Sequence, residues 1–401
     1  MKVVGLIVEY NPLHNGHLYH YQQSLRVTGA DATVAVMSGN FLQRGEPAIV
    51  SKWARTEMAL SIGIDLVLEL PAAYCTQNAE MFAFGAVSTL HALGIVQNVC
   101  FGSESGNLEW IEHLAQQLIH EPDAFTSKIR ASLDEGMSYP SAYAKAASSL
   151  VAIPEEWLAQ PNNILGLNYV LALKRLASPI RPATITRQKA GYHQSYITDA
   201  QIASATALRK LIAEENLEKI RPYVPESTFS ILEREKIEQR FPMNWDRFFP
   251  FLIHSLTVKS TQDLSLIHEM EEGLEHRIKR VYSKAYQFQE LMEALKTKRY
   301  TWNRLQRLLF YTLINLHKQE MNSLQVKRGV PYIRVLGFSE KGQKLLQLVK
   351  KKGAIPIISK IGGNSIPMLD LDIRASSVYN LGYPCRQAGE VSEFARPPVI
   401  W

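Results

Sequence analysis

The first hundred residues alternate between short apolar runs and amphipathic segments, and this alternation limits the possible folds more than any other feature of the chain. The apolar runs predict buried strands at residues 3–10, 32–37, 66–70 and 96–101. Helical patterns separate them, beginning near His17, Ser51 and Ala79. Continuous apolar strands connected by helices are typical of parallel sheets with crossover connections. We therefore predict an α/β fold built on an open parallel sheet.

Helical patterns dominate the rest of the chain. Helices are predicted over residues 107–175, 201–221, 227–241 and 265–317, the last interrupted near residues 296–300. Prolines predict breaks in the first of these regions at Pro122, Pro140, Pro154 and Pro161. A fifth strand is expected at residues 182–187, and residues 334–359 have the pattern of a small α/β appendage. We divide the chain into a sheet domain, residues 1–200, and a mainly helical, basic region, residues 201–401.

Basic residues are concentrated in the second half of the chain. Residues 1–150 contain 8 Lys and Arg against 14 Asp and Glu, whereas residues 151–401 contain 36 against 24. Within residues 277–352 the count is 18 against 4. Such asymmetry favours a polyanionic partner, nucleic acid above all, bound through the C-terminal part. The alternative is a basic face that is merely solvated.

Cysteine usage and hydropathy predict a cytoplasmic protein. The three cysteines, Cys75, Cys100 and Cys385, are far apart and form no CxxC pair, which argues against disulfides and zinc sites. The N-terminus lacks the cationic region and cleavage site of a signal peptide. Residues 81–101 are uncharged, but they contain polar residues and change from a helical to a strand pattern at Gly94. We expect a buried helix, turn and strand there and no membrane span.

The sharpest motif is His14-Asn15-Gly16-His17, an HxGH at the junction of the first strand and the first helix. Ligands of open α/β sheets bind beyond the carboxyl ends of the strands, and a helix N-terminus there favours phosphate. Gly16 allows close backbone approach, and two imidazoles can donate hydrogen bonds to phosphate oxygens in a transition state. No Walker A loop or GxGxxG occurs. We predict that His14 and His17 are catalytic.

This layout resembles the HxGH nucleotidyltransferase superfamily. The segments VGLIVEYNPLHNGHLYH, SGNFLQRGEPAIVSKWAR, DLVLELP, FGSES and KTKRYTWNRLQRLL resemble, more specifically, the bacterial tRNA(Met) cytidine acetate ligase family. The resemblance covers most of the chain, including its basic part. It implies a two-step reaction in which acetate and ATP form acetyl-adenylate, and the acetyl group then passes to N4 of the wobble cytidine of elongator tRNA(Met).

The resemblance also implies a set of nucleotide-binding residues. The turn that follows the first strand would wrap ATP, through Ile7, Val8, Glu9, Tyr10, Asn11, Pro12, Leu13, His14, Asn15, Gly16, His17, Leu18, Tyr19 and His20. Gly102 would leave room for adenosine, and Arg187, the last residue of the predicted fifth strand, could meet phosphate. Asn162 could bond the nucleotide or simply cap a helix.

Two weaker candidates contribute hydroxyl and guanidinium groups. Residues 202–209, IASATALR, resemble the ISSTxxR segment of related adenylyltransferases, so Ser204, Thr206 and Arg209 could bind the triphosphate. An ordinary capped helix is the alternative. Arg44, in the loop after the second strand, could bind phosphate or the acetate carboxylate, or pair with Glu46.

In the basic region, cationic residues alternate with Tyr300 and Trp302. Lys296, Lys298, Arg299, Arg304 and Arg307 are candidates for contacts with tRNA phosphates. The two aromatic side chains could stack on unpaired bases or pack in the core of a helix.

We expect Mg²⁺ to arrive with ATP rather than in a protein metal site, because no His, Asp or Glu cluster has ligand spacing. No segment resembles an acetyl-CoA-binding fold, so acetyl-CoA is not expected as acetyl donor. Two other functions stay open: a small-molecule adenylyltransferase of cofactor biosynthesis, and an RNA-binding protein with a vestigial nucleotide site.

Overall fold

The computed structural model describes residues 1–151, 153–187, 203–214, 216–363, 365–384 and 392–401. Cys385 and Ile202 lie outside these residues. The eight strands are β1 (Val3–Val8), β2 (Ala32–Ser38), β3 (Leu66–Leu70), β4 (Asn98–Ser103), β5 (Arg181–Thr186), β6 (Ile333–Phe338), β7 (Ile357–Ile358) and β8 (Val399–Ile400).

Nine α-helices are described before β5. They are α1 (Asn15–Thr28), α2 (Lys52–Ser61), α3 (Ala72–Cys75), α4 (Ala79–Ala92), α5 (Glu109–Leu118), α6 (Asp123–Asp134), α7 (Tyr139–Val151), α8 (Glu155–Ala159) and α9 (Pro161–Arg175).

Ten further α-helices are described after β5. They are α10 (Ala205–Glu214), α11 (Glu226–Ile237), α12 (Trp245–Val258), α13 (Thr261–Ser265), α14 (Leu274–Val281), α15 (Phe288–Leu295), α16 (Trp302–Leu313), α17 (Lys318–Ser323), α18 (Glu340–Lys352) and α19 (Pro367–Asn380). Short 3₁₀ helices cover Leu217–Tyr223, Tyr282–Lys284 and Val326–Arg328.

The strands form one sheet with the order β5-β4-β1-β2-β3-β6-β7, and β8 also pairs with β6. The five strands from β5 to β3 are parallel, whereas β6 runs antiparallel to β3. The prediction of an open, mostly parallel α/β sheet is confirmed. The chain order reverses between β1 and β4, so a topological switch point lies at the carboxyl ends of these two strands.

Alternating residues of the strands supply the cores on the two faces of the sheet. In β1, Val3 belongs to the core that contains α4, α5 and α9, whereas Val4 and Leu6 belong to the core that contains α2 and α11. Strands covered on both faces by helices are apolar at most positions, which explains the near-continuous apolar runs of the sequence.

In the first half of the chain, most predicted boundaries lie close to the observed ones. By contrast, the helical region predicted at residues 265–317 with one interruption is divided among α14, a 3₁₀ helix, α15 and α16. Pro122 and Pro154 directly precede α6 and α8, and Pro161 is the first residue of α9, where its missing N–H costs nothing. Residues 81–101 form most of α4, a turn and most of β4, as expected. Within the described residues, no helix combines the length and the apolar character required to cross a membrane.

The predicted appendage at residues 334–359 is not a separate unit. Its strand, β6, pairs with β3 from Leu66↔Phe338 to Glu69↔Arg334, so it extends the main sheet. The sequence pattern revealed the strand but not its partner, because pairing between residues about 270 positions apart leaves no local signal. The division of the chain at residue 200 stays a prediction.

A buried ion cluster ties the C-terminal segment to the sheet. Lys52 is fully buried, and its Nζ lies 2.7 Å from Glu69 Oε1 and 2.9 Å from Glu393 Oε2. It also donates a 3.1 Å hydrogen bond to Ser376. Two carboxylates and one hydroxyl therefore satisfy a cation that could not remain buried alone.

Replacing Lys52 with Met should destabilise the protein by about 3–5 kcal/mol, because Glu69 and Glu393 would stay buried without the cation that both contact, and Glu393 would retain Arg334 at 3.8 Å. Urea unfolding measures the change. Lys145→Met is the matched control, since the Lys145–Glu135 pair is exposed and should contribute less than about 1 kcal/mol. Equal effects of the two substitutions would contradict this account.

Candidate active site

A cleft of about 260 Å³ opens at the switch point of the sheet. Residues of β1, β4 and β5 and of the segments that follow β1, β2 and β5 line it, together with residues of α1, α4, α9 and α10. The cleft therefore lies where open α/β sheets bind their ligands.

Two histidines cap the N-terminus of α1 and fix each other. His14 Nδ1 accepts a 3.1 Å hydrogen bond from the Gly16 N–H, and His17 Nδ1 accepts a 3.3 Å hydrogen bond from the His14 N–H. The rings stack with centroids 3.8 Å apart, and Tyr10 packs its edge against His17. This reciprocal capping holds both imidazoles in the cleft without help from a ligand.

Burial keeps the two rings neutral, and the same hydrogen bonds decide which nitrogen of each ring carries the proton. Burial, reinforced by Arg187 and Arg209, lowers the pKa of His14 to about 3. Burial, followed by the neighbouring His14, lowers the pKa of His17 well below its usual value. Both rings are therefore neutral near pH 7. Because each Nδ1 accepts a hydrogen bond, each Nε2 carries the proton and is a donor.

The turn that presents these histidines is sharply bent. Tyr10 is fully buried and has a φ of 51°, in the left-handed region that costs a non-glycine residue free energy. The Oδ1 atom of Asn11 accepts a 2.6 Å hydrogen bond from Ile49 N–H, and its carbonyl accepts a 3.0 Å bond from Arg209. These contacts hold the turn in a conformation that would not persist alone.

A second helix N-terminus faces the cleft beside that of α1. Ser204 Oγ accepts a 3.1 Å hydrogen bond from the Ala207 N–H at the start of α10, and Thr206 lines the cleft. Arg209, on the same helix, lies 3.5 Å from Glu46. Two helix N-termini with two neutral imidazoles and nearby guanidinium groups suit the binding of phosphate.

Another side of the cleft is more apolar. Phe101, Gly102, Leu165, Tyr169 and Ile185 line it. A Cβ atom at Gly102 would lie 3.1 Å from Arg187 Cγ, so this position is tight even before a ligand enters. Such a surface suits a nucleoside base.

Asn162 links this side of the cleft to Arg187. Its Nδ2 donates a 2.6 Å hydrogen bond to Glu104, and its Oδ1 accepts a 3.3 Å hydrogen bond from Arg187. Asn162 is the second residue of α9 and does not cap it, since Gln160 occupies the N-cap position without a side-chain bond.

Residues 41–47 form a loop after β2, which we call the β2 loop. This loop lines a third side of the cleft. The Gln43 N–H donates a 2.8 Å hydrogen bond to Glu9 Oε1, and Gln43, Arg44 and Glu46 line the cleft. Burial raises the pKa of the Glu9 carboxyl.

Most of the residues that were predicted to bind the nucleotide line the cleft, and four do not. The four are Pro12, Leu13, Asn15 and Leu18. Leu13 is buried in the core and Asn15 Nδ2 bonds the carbonyl of Pro222. Gln43, Phe82, Phe101, Leu165, Tyr169, Ile185, Ala203 and Ala205 line the cleft without having been predicted. The apolar ones carried no chemical signal in the sequence.

Comparison with known proteins identifies the family. A sequence model described as HIGH Nucleotidyl Transferase matches residues 1–393. A tRNA(Met) cytidine acetate ligase of Bacillus subtilis is 43% identical over 407 residues, covering 100% of this chain and 97% of the relative. The relative from Bacillus velezensis, which has the same name, is also 43% identical, over 404 residues. The chain belongs to the tRNA(Met) cytidine acetate ligase family.

Solved structures agree with this assignment. The apo crystal structure of Thermotoga maritima TmcAL superposes with a TM-score of 0.92 at 36% identity, covering 100% of this chain and 99% of that one. The same Thermotoga protein bound to alpha-thio ATP superposes with a TM-score of 0.90.

In this member of the tRNA(Met) cytidine acetate ligase family, the predicted RNA-contacting cations differ in exposure. Lys296, Lys298 and Arg299 are exposed, whereas Arg304 is half-buried and Arg307 is only 9% exposed. Arg299, Arg304 and Arg307 lie 2.6, 3.3 and 3.6 Å from Glu272, Glu271 and Glu269. Arg307 thus packs inside the protein, and Tyr300 is also buried, with Arg304 5.2 Å from its ring centre.

Among the described residues, no group of three His, Cys, Asp or Glu side chains could hold a metal ion. Cys75 and Cys100 are both buried and unbridged.

The depressed pKa of His14 predicts a loss of stability in mild acid. In the unfolded chain histidine titrates near pH 6.5, so unfolded molecules bind protons first as the pH falls. The free energy of unfolding therefore keeps its full contribution from the neutral His14 ring above about pH 6.5, and this contribution decreases as the pH falls from there towards 3. His14→Asn keeps a capping side chain but removes the titrating ring. It should therefore reduce the slope of the free energy of unfolding against pH in this acid range by up to about 1.4 kcal/mol per pH unit.

Urea unfolding between pH 7.5 and 4.5 measures the slope. The exposed His113→Asn should leave the slope as in the wild type. An unchanged slope in His14→Asn would show that this ring is not held neutral by burial.

Proposed function

We propose that this protein is an ATP-dependent tRNA(Met) cytidine acetate ligase. It would activate acetate as acetyl-adenylate and transfer the acetyl group to N4 of the wobble cytidine of elongator tRNA(Met). The observation that carries the proposal is the pair of neutral, mutually capped histidines at the switch point, with both Nε2–H groups available as donors.

In the first step, a carboxylate oxygen of acetate attacks the α-phosphorus of ATP, and the bond from that phosphorus to the bridging oxygen of pyrophosphate breaks. Such transfers need positioning and charge stabilisation more than covalent help. His14 and His17 would donate Nε2–H hydrogen bonds to oxygens of the reacting phosphates as charge accumulates on them. Neutral imidazoles donate without having to lose a proton.

The order of strands in the sheet suggests how the substrates are arranged. Adenosine would lie against Gly102 and the apolar wall at β4, and the phosphates would lie at the N-termini of α1 and α10. Acetate would then occupy the remaining side, where Arg44 on the β2 loop can bind its carboxylate. Arg187 and Arg209 would serve the phosphates.

In the second step, N4 of cytidine attacks the acetyl carbonyl carbon, the bond from that carbon to the phosphate oxygen breaks, and AMP leaves while the amine loses a proton. The wobble base lies in a loop, so it can be turned out of its stack at modest cost. Activation must come first, since the acetate oxygen is a poor leaving group and the cytosine amine is a weak nucleophile.

The proposal also implies how magnesium is bound, where the enzyme acts and which acetyl donor it uses. Mg²⁺ would enter with ATP and be bound through its phosphates. A tRNA substrate would place the enzyme in the cytoplasm, and no segment of the sequence resembles an acetyl-CoA site.

The exposed cations Lys296, Lys298 and Arg299 are the best candidates for contacts with tRNA phosphates. Arg304 could join them by leaving Glu271.

His14→Ala and His17→Ala should each lower the formation of acetyl-adenylate by about 10²-fold or more, as the loss of a transition-state donor typically does. Acetate-dependent exchange of pyrophosphate into ATP measures this step without tRNA. Transfer is measured with ATP, labelled acetate and total tRNA, followed by identification of the labelled nucleoside. His113→Ala, exposed and far from the motif in sequence, is the control.

Near-normal exchange in both variants would remove the histidines from the mechanism. Exchange into ATP without transfer to tRNA would favour a small-molecule adenylyltransferase. The absence of pyrophosphate release would favour an RNA-binding protein, and efficient transfer from acetyl-CoA without ATP would contradict the ligase proposal.

Replacing Lys296 and Lys298 with Ala should weaken tRNA binding. It should also reduce the slope of the logarithm of the binding constant against the logarithm of the salt concentration by about one to two, since each lost phosphate contact removes counterion release. Binding measured at several salt concentrations tests this. Acetyl-adenylate formation without tRNA should be unchanged. Lys128→Ala and Lys145→Ala together are the charge-matched control, and an equal loss in the control would mean that the effect reflects net charge.

A further inference from the structure

The β2 loop contacts the cleft on one side and helix α16 on the other. The Nε2 atom of Gln306, in the middle of α16, donates a 3.0 Å hydrogen bond to the carbonyl oxygen of Arg44. Gln306 is only 7% exposed, so its amide makes this bond inside the protein. The backbone of Arg44 is thereby fixed from the side opposite to the cleft.

The next residue brings the loop into direct backbone contact with the helix. Gly45 has a φ of 81°, and a Cβ atom there would lie 2.8 Å from both Cα and N of Arg307. Only glycine allows this conformation and this approach at once. On the other side of Arg44, the Gln43 N–H is bonded to Glu9 Oε1 at 2.8 Å. Three consecutive residues of the loop are therefore held.

Helix α16 is itself firmly anchored to the sheet domain. The Tyr311 hydroxyl donates to the carbonyl oxygen of Thr76 in that domain, and within the helical region Arg307 lies 3.6 Å from Glu269. Leu305, Leu308 and Leu309 are fully buried. A helix fixed in this way can hold the loop at a constant distance from the cleft.

We propose that Gln306 is a positioning residue for acetate activation, which holds Arg44 where its guanidinium binds the acetate carboxylate. This proposal rests on the function proposed above. Arg44 and the buried Glu9 line the same cleft, on the β2-loop side where acetate is proposed to bind. Because α16 follows the exposed Lys296 and Lys298, the same segment would serve both acetate activation and the tRNA surface.

The loss of one neutral hydrogen bond to a loop carbonyl should weaken acetate binding about 3- to 10-fold. Gln306→Leu removes the donor without adding charge, and Gln306→Glu keeps the shape but presents an acceptor to the carbonyl. Both should raise KM for acetate in the pyrophosphate exchange assay, with KM for ATP and kcat within about twofold of the wild type. Asn303→Asp, one turn earlier on α16, makes the same amide-to-carboxylate change and should leave all three constants unaltered.

A double-mutant cycle separates positioning from general damage. In an Arg44→Ala background, Gln306→Leu should raise KM for acetate no further, because its effect passes through Arg44. Gly45→Ala, which disturbs the same contact from the loop side, should also raise KM for acetate in the wild-type background. The affinity for tRNA should stay near the wild-type value in the two Gln306 variants. The melting temperature should fall less in Gln306→Leu than in Gln306→Glu, because only the latter buries a carboxylate.

Three results would overturn the proposal: an unchanged KM for acetate in both Gln306 variants, a parallel rise of KM for ATP, or a full additional effect in the Arg44→Ala background. A wild-type enzyme without any acetate-dependent exchange would instead contradict the proposed function itself. The two failures are therefore distinguishable.

Discussion

The reciprocal hydrogen bonds between His14, His17 and the first turn of α1 are the interaction on which the site depends. They satisfy backbone N–H groups that the helix would otherwise leave free, and they fix both rings in one tautomer. The usual residue for this position is a Ser, Thr, Asp or Asn. Using histidines instead gives the helix its cap and the cleft its donors with the same two side chains.

Features with a local physical cause were predictable from the sequence. The doubly covered strands appear as near-continuous apolar runs, prolines precede α6 and α8 and begin α9, and the HxGH motif lies where the chain passes from β1 into α1. Most of the polar residues that line the cleft were predicted for the same reason, with Gln43 as an exception. Phe101 and Tyr169 were not, because an apolar side chain that lines a cleft has the same sequence pattern as one that fills a core.

Features that depend on pairing between distant residues were not predictable. The charge count over residues 277–352 begins just after Glu269, Glu271 and Glu272 and so leaves them out, although they lie beside three of the counted arginines. Net charge within a window measures the field of that segment only if its partners lie inside the window. Likewise, the pattern of β6 indicates a strand but not that β3 is its partner.

The antiparallel pairing of β6 with β3 has a consequence for synthesis on the ribosome. The strands β1 to β5 are complete by residue 186, yet one edge of β3 gains its partner only after residues 333–338 have been made. Until then the nascent sheet has an unpaired apolar edge, and Lys52 lacks the carboxylate of Glu393. An exposed apolar edge is prone to pairing with other chains, so a truncated product that ends before β6 would be aggregation-prone even though its HxGH motif is intact.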